Sequence, residues 1–279
     1  MNLTSPKAIK EIAQQFDFTF KKGLGQNFLT DAGVLEQIAS AAQIQKNVLE
    51  IGPGFGVLTQ VLSEHSERVV AVEIDERLIE VLQYTLREYP NVELVHQDIL
   101  KMDLPTFFKE TFAGEPVSIA ANLPYYITTP ILTKVIESRL PIQNMVVMVQ
   151  KEVAERLVAS PGTKTYGAIS VLCAYYTKAS LVTVVPAASF VPPPKVDSAV
   201  VKLEICPEPN VQVEDEKKFF RVVKAAFAQR RKTLLNCLAN HFPIEKSEIS
   251  RRLEMIGISP NIRGEMLGIE KFAEITNIV

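Results

Sequence analysis

Val48-Leu49-Glu50-Ile51-Gly52-Pro53-Gly54-Phe55-Gly56 decides how this chain folds. A short run of β-forming residues stops at three closely spaced glycines, and Val57 to Leu62 then opens a helix. Strand, glycine loop and helix in that order form the turn at which α/β proteins bind ligands. Glycine there permits positive φ and lets a ligand approach the backbone closely. Outward from this turn the chain alternates. Arg68 to Glu73 reads as a second strand, and Leu78, Ile79, Leu82 and Leu86 mark a helix that ends near Pro90. Val92 to Val95, Val117 to Ala121 and Met145 to Val149 read as further strands. Upstream, Val34, Leu35, Ile38, Ala39 and Ala42 fall at helical spacing, with Thr30 or Asp31 as N-cap. Strands alternating with helices imply parallel crossovers, hence a doubly wound α/β sheet.

The pattern changes past about Pro161. Leu181 to Val185 and Ala199 to Ile205 read as strands separated by Val191-Pro192-Pro193-Pro194, an antiparallel pair that closes the sheet. Pro207-Glu208-Pro209-Asn210 reads as a linker, and from Glu214 onward the chain looks helical. The expected division is a ligand-binding catalytic domain over 1–208 and a small all-α domain over 209–279.

The 279 residues carry Lys+Arg 30 and Asp+Glu 32, a net charge of -2, which speaks against a polycation that coats nucleic acid. Cys173, Cys206 and Cys237 form no CxxC pair, and His65, His96 and His241 are dispersed, so neither a disulfide framework nor a metal site is expected. Met1 leads into a polar stretch without a signal pattern, and no apolar run approaches the ~18 residues of a membrane span. A cytoplasmic, soluble protein is expected.

A dinucleotide fingerprint would need Gly or Ala at position 57, where this chain has Val57, and a cofactor without a pyrophosphate fits better. Glu73 stands 21 residues after Gly52, where a carboxylate can accept from both ribose hydroxyls. Asp98, after the third strand, can accept from an exocyclic amine such as adenine N6. Either carboxylate alone reads more readily as a solvated charge. Glycine loop, Glu73 and Asp98 at three successive strand ends describe an adenosine pocket, and S-adenosylmethionine is the occupant that fits it best.

Asn122-Leu123-Pro124-Tyr125 follows the fourth strand. As punctuation it is an ordinary turn with a packed tyrosine. As chemistry it answers a specific need, because the lone pair of adenine N6 is delocalised into the ring. A side-chain amide oxygen and a backbone carbonyl that accept its two N–H bonds favour the pyramidal, more nucleophilic amine. Tyr125 can stack on a base extruded from its helix.

Asn-Leu-Pro-Tyr resembles the signature of amino-methyltransferases acting on adenine. Lys22 to Leu29, Glu50 to Gly56, Phe190 with Pro192 to Ser198, and Gln229 to Asn236 resemble the KsgA/RsmA family of ribosomal RNA small-subunit adenine N6-dimethyltransferases. The match runs in order from about residue 21 to 236; beyond it the chain matches only in being helical and charged. The resemblance implies a Rossmann-like S-adenosylmethionine-dependent methyltransferase sheet. It also implies dimethylation at N6 of two adjacent adenines in a hairpin near the 3′ end of 16S rRNA, with a role in small-subunit biogenesis. By motif, Asn27 and Leu29 would touch the methionine part of the cofactor, with Gly52 and Gly54 beneath it; Glu73 would hold the ribose and Asp98 the adenine. Asn122, which also borders the cofactor, Leu123 through its carbonyl, and Tyr125 would hold the target, with Phe190 on the base's other face. Read without the resemblance, Phe190 is a core aromatic beside a rigid loop. Tyr126 stands where many relatives carry Asn.

Charge is unevenly spread. Residues 1–204 hold 18 bases and 22 acids, and residues 205–279 hold 12 and 10. Lys217, Lys218, Arg221, Lys224, Arg230, Arg231 and Lys232 follow one another with no acid between them. A helix with bases after an acidic start suits its dipole, and Phe219, Phe220, Val223 and Phe227 give it an apolar face. Seven uninterrupted bases exceed that need and point to RNA phosphates, with Lys21 and Lys22 adding to the surface. The expected partners are small-subunit rRNA and the assembling 30S subunit, with no membrane, no metal and a monomeric chain. Three other readings stand beside this one: a large-subunit rRNA adenine dimethyltransferase conferring antibiotic resistance, a non-enzymatic assembly factor, and a nicotinamide oxidoreductase, which Val57 disfavours.

Overall fold

The structure is a computed structural model that describes residues 3–19 and 27–279. Its chain divides into two compact units, Met1–Ala154 with Ala179–Ile205, and Glu155–Lys178 with Cys206–Val279.

Unit 1 is built on the sheet that the strand–helix alternation predicts. After α1 (Pro6–Gln15) and the two-residue strand β1 (Phe28–Leu29), α2 (Ala32–Ala42) begins at Asp31, whose side chain accepts from the amides of Gly33 and Val34. Then follow β2 (Asn47–Ile51), α3 (Val57–Glu64), β3 (Arg68–Glu73), α4 (Glu76–Thr85), β4 (Val92–His96), α5 (Leu104–Phe112), β5 (Val117–Asn122), α6 (Thr128–Glu137) and β6 (Ile142–Gln150). The strands β2, β3, β5 and β6 are apolar runs because both faces of a parallel sheet are covered by helices, and Val48, Leu49, Val70, Ile119, Val146 and Val147 are fully buried.

The seven strands lie in the order β4-β3-β2-β5-β6-β9-β7, with β7 at Thr177–Val185 and β9 at Ser198–Ile205. β2 pairs in parallel with both β3 and β5, so the chain winds outward to β4 and returns beside β2. That reversal is a topological switch point, where open α/β sheets leave a crevice beyond their carboxyl ends. β9 runs antiparallel to β6 and lies between it and β7, so the expected closing pair is present with β9 on the inside. A second, two-stranded sheet joins β1 to β8 (Phe190–Val191), with Leu29 opposite Phe190. Thr30 extends this join by donating from its amide and its hydroxyl to the Ser189 carbonyl, at 2.9 and 3.0 Å.

Unit 2 is helical. α7 (Lys151–Leu157) enters it, and α8 (Ala168–Tyr176), α9 (Glu216–Phe227), α10 (Leu234–Ala239), α11 (Lys246–Met255) and α12 (Ile269–Ile278) complete it. The sequence places a boundary at 208; in the structure the chain crosses between units at 154/155, 178/179 and 205/206. The reason for the early excursion is aromatic packing. Tyr175 lies 4.7 Å from Phe219 and Tyr176 stacks on Phe220 at 5.7 Å, so α8 shares a core with α9. Counted by unit, the sequence holds 15 bases and 21 acids in unit 1, and 15 and 11 in unit 2. Among the described residues no helix is long and apolar enough to cross a membrane.

Candidate functional site

Four strand ends converge on one cavity in unit 1, at the carboxyl ends of the strands where open α/β sheets bind ligands. Its lining includes Asn27 and Leu29 from the β1 segment, Gly52 and Gly54 after β2, Glu73 ending β3, Asp98 after β4, and Asn122, Leu123 and Tyr125 at the end of β5. The structure therefore brings together every described residue expected at the cofactor or the target amine except Phe190. That ring is 2 % exposed and packs in the core, because the β1–β8 pairing turns it inward beside Leu29.

The glycine loop is left-handed at Gly52, Gly54 and Gly56, with φ of 73°, 61° and 85°. At Gly54 a Cβ would stand 2.6 Å from Phe28 Cε1, so the Phe28 ring, wedged 4.5 Å from Phe55, demands glycine there. β1 thereby lies directly on the loop.

The carboxylates differ in how they are held. Glu73 is 5 % exposed; its Oε1 accepts from the amides of Ile74 and Asp75 at 2.8 and 2.9 Å, and its Oε2 from Gly54 at 3.3 Å. Burial raises its pKa, and the three backbone donors oppose that rise by favouring the anion. Three bonds leave one acceptor direction on Oε2, since a carboxylate offers about four. Asp75 is spoken for, capping α4 and holding Arg77. Asp98 accepts from Leu100 N at 2.9 Å through Oδ1, and Lys101 Nζ stands 3.9 Å from Oδ2. Glu50, which the sequence offers only as the letter before the glycines, also lines the cavity; it is 1 % exposed and burial pushes it up to about 8. The cue to it was a charge inside an otherwise apolar strand. Ile74 and Tyr126, both about half exposed, complete the mouth. Burial raises the pKa of Tyr126, and the Asp98 and Glu73 carboxylates push it the same way.

At the end of β5, Asn122 Nδ2 donates to the Asn27 carbonyl at 3.1 Å, which commits the amine half of the amide and leaves Oδ1 as the available acceptor. Leu123 gives its N–H to the Met148 carbonyl, and among the described residues no donor reaches its own carbonyl. The Tyr125 hydroxyl is anchored 2.6 Å from Ser198 Oγ at the start of β9, which fixes the direction in which its ring extends.

These features fit S-adenosylmethionine. Gly52 and Gly54 keep the floor free of side chains, Glu73 and Asp98 offer acceptors for ribose and adenine, and among the described residues the lining holds four carboxyls and no Lys, Arg or His, which suits a cation. No group of three or more His, Cys, Asp and Glu able to hold a metal ion occurs among the described residues.

The basic residues lie in unit 2. α9 begins at Asp215, which accepts from Lys218 N at 2.9 Å, and buries Phe219, Val222, Val223, Ala225 and Ala226. Its exposed stripe is Lys217, Arg221 and Lys224, spaced four and three residues apart. Arg221 donates to the His241 carbonyl at 2.7 Å and covers the Phe242 ring, while Lys217, Lys218 and Lys224 have no acidic partner among the described residues. The helix ends at Phe227, so Arg230, Arg231 and Lys232 stand in the turn that follows. Arg230 is engaged, paired with Glu265 at 3.3 Å and bonded to the Lys164 carbonyl; Arg231 and Lys232 are exposed. Lys21 and Lys22 lie outside the described residues.

Comparison with known proteins agrees with this geometry. A family model described as ribosomal RNA adenine dimethylase matches residues 17–279. Proteins named ribosomal RNA small subunit methyltransferase A from Bacillus mycoides (strain KBAB4) and Bacillus cereus (strain B4264) are each 49 % identical over 282 aligned positions, covering 99 % of this chain and 97 % of theirs. Among solved structures, a dimethyladenosine transferase from Plasmodium falciparum superposes with a TM-score of 0.72 at 28 % identity, over 89 % of this chain and 95 % of the other. The 23S rRNA methyltransferase ErmE superposes with a TM-score of 0.68 at 26 % identity, over 90 % and 98 %. Matched over residues 17–279 of its 279, the chain belongs to the ribosomal RNA adenine dimethylase family.

Proposed function

We propose that this protein transfers methyl groups from S-adenosylmethionine to N6 of two adjacent adenines in a hairpin near the 3′ end of 16S rRNA, giving N6,N6-dimethyladenosines. The observation that carries the reading is the Asn122 amide: its nitrogen is held by the Asn27 carbonyl, so its oxygen is preset as an acceptor at the end of the strand next to the glycine loop. Such preset dipoles are worth most in a dry site, because nothing has to reorganise as charge develops.

The cofactor supplies a methyl group on a cationic sulfur. Gly52 and Gly54 would give it room, Leu29 and Asn27 would wall its methionine end, Glu73 would hold its ribose through the acceptor direction left on Oε2, and Asp98 would take its adenine amine. Asn122 Oδ1 and the Leu123 carbonyl accept the two N6–H bonds of the target adenine. This draws the nitrogen out of conjugation and aims its lone pair. Tyr125, its hydroxyl tied to Ser198, presents a ring on which the extruded base stacks. The methylated nitrogen is an acidic ammonium, so its proton passes to solvent without a strong base. For Phe190 to sandwich the base from the other side, its ring would have to turn out of the core.

RNA phosphates are held by Lys217, Lys218, Arg221, Lys224, Arg231 and Lys232, with Lys21, Lys22 and Arg230 in support. The small-subunit reading is preferred to the large-subunit one because identity is 49 % to the small-subunit enzymes and 26 % to the 23S rRNA enzyme. The chain works as a monomer in the cytoplasm, on the assembling 30S subunit and without a metal. Incubation with labelled S-adenosylmethionine and undermethylated small subunits, followed by mass analysis, should find dimethyladenosine at two adjacent positions. Label appearing only in large-subunit RNA would overturn the assignment.

A further inference from the structure

The least accessible ionisable group in the cavity has no task in the scheme above. Glu50 sits in β2 between Ala71 of β3 and Ala120 of β5, two methyl side chains that offer it nothing. It is 1 % exposed, it lines the cavity, and its Oε2 has no hydrogen-bond partner among the described residues. Thr59 of α3 is also fully buried, and its Oγ1 is likewise without a partner. From β3 the charged group facing Glu50 is Glu73; the remaining cavity carboxyls are Asp75 and Asp98, and among the described residues no cation lines the space. An anion stripped of water and left without a donor is costly, so such a carboxyl holds its proton instead. Burial is the main cause that pushes Glu50 up to about 8, the Glu73 charge adds to it, and the nearby Thr59 hydroxyl opposes it. Glu73 is buried as well, yet three backbone donors sustain its anion.

We propose that Glu50 is a proton-linked positioning residue: it releases its proton to solvent when a cationic cofactor enters the cavity, and regains one when that cofactor has become a neutral product. The inference rests on S-adenosylmethionine being the ligand. That molecule carries a sulfonium, an ammonium and a carboxylate, for a net charge of +1; S-adenosylhomocysteine lacks the sulfonium and is net neutral. The incoming positive charge supplies what β3, α3 and β5 withhold, and Glu50 ionises against it. Transfer of the methyl group removes that charge from the cavity. The buried anion then loses its counter-ion, takes a proton back and holds the product less tightly than the substrate form.

Calorimetric titration in buffers of differing ionisation enthalpy, at pH 6.5 and 7.5, counts the protons. With wild-type protein, S-adenosylmethionine should release close to one proton and bind up to about tenfold more tightly per pH unit, and S-adenosylhomocysteine should release markedly less. Glu50→Gln should bind S-adenosylmethionine with no proton release and a Kd that does not follow pH. Should that variant fail to fold, Glu73→Gln identifies the source, since release persists there if Glu50 supplies it. Binding to wild type without proton release, or undiminished release from Glu50→Gln, overturns the proposal. Absence of any S-adenosylmethionine binding at either pH would instead overturn the cofactor reading on which it stands.

Discussion

The acids of unit 1 and the bases of unit 2 solve opposite problems. Around the cavity, Glu50 and Glu73 are withdrawn from water, and what each can do is set by the few groups that reach it: three backbone amides for Glu73, and no amide but a nearby Thr59 hydroxyl for Glu50. On α9, Lys217, Arg221 and Lys224 stand in water along one stripe. Water and salt screen those charges from one another, so none depends on a single neighbour. A ligand that enters the cavity meets fixed, desolvated groups whose geometry discriminates. A polyanion docked on α9 would be held by a sum of interchangeable contacts. Damage in the first region should therefore be steep and chemical, and in the second graded and salt-dependent.

That contrast can be broken or sharpened by substitution. Asn122→Ala should lower kcat by roughly 10²-fold or more, because the lost acceptor acts on the amine in the transition state. Cofactor affinity, measured by calorimetry, should change little; a rate near wild type would remove Asn122 from the reaction. Glu73→Gln should weaken cofactor binding by about tenfold, the cost of losing a charge-assisted acceptor. If kcat fell while Kd held, Glu73 would belong to the chemistry and not to the ribose. Replacing Lys217, Arg221 and Lys224 together by Ala should weaken RNA binding several-fold at physiological salt. The slope of log K against log salt should flatten by about two to three units, and cofactor affinity should be untouched. An unaltered slope would take the α9 stripe out of the RNA interface. The smallest effect separates two adjacent arginines. Arg230→Gln should lower thermal stability by under about 1 kcal/mol, since the Arg230 side chain is more than half exposed where it pairs with Glu265, whereas Arg231→Gln should leave the melting temperature unchanged. Equal melting temperatures for the two variants would show that the Arg230 pairing contributes nothing.

Much of unit 1 was legible because a parallel sheet covered on both faces writes itself as apolar runs. Strands over 47–51, 68–73, 92–96 and 117–122 lie within a residue or two of their expected bounds. So were the cavity residues at strand ends, since carboxylates and Asn at those places have few structural uses. Helices over 104–112 and 128–137 escaped notice, the first because its phenylalanines crowd the pattern, the second because it opens with two threonines and a proline. α8, Ala168–Tyr176, is apolar almost all round and shows no period, which is why its place beside α9 is visible only in three dimensions. The pairing of Leu29 with Phe190 joins residues 161 positions apart, and no local signal encodes it. Glu50 was in view throughout, but a carboxyl gains its meaning from what fails to surround it.

The place of β9 has a consequence for how the molecule is made. β9 is the last strand of the chain, yet it lies inside the sheet, between β6 and β7. On the ribosome, β6 and β7 emerge first, and each must wait with an unpaired edge until Ser198–Ile205 arrives to join them. Ser198, which opens that strand, is also the anchor of Tyr125. A nascent chain that stops short of it has the glycine loop, both buried carboxylates and Asn122, but a tyrosine with nothing to hold its ring. The anchor of Tyr125 thus arrives late in synthesis, with the insertion of one interior strand, and the exposed edges of β6 and β7 are the stage at which folding is most open to mispairing with another chain.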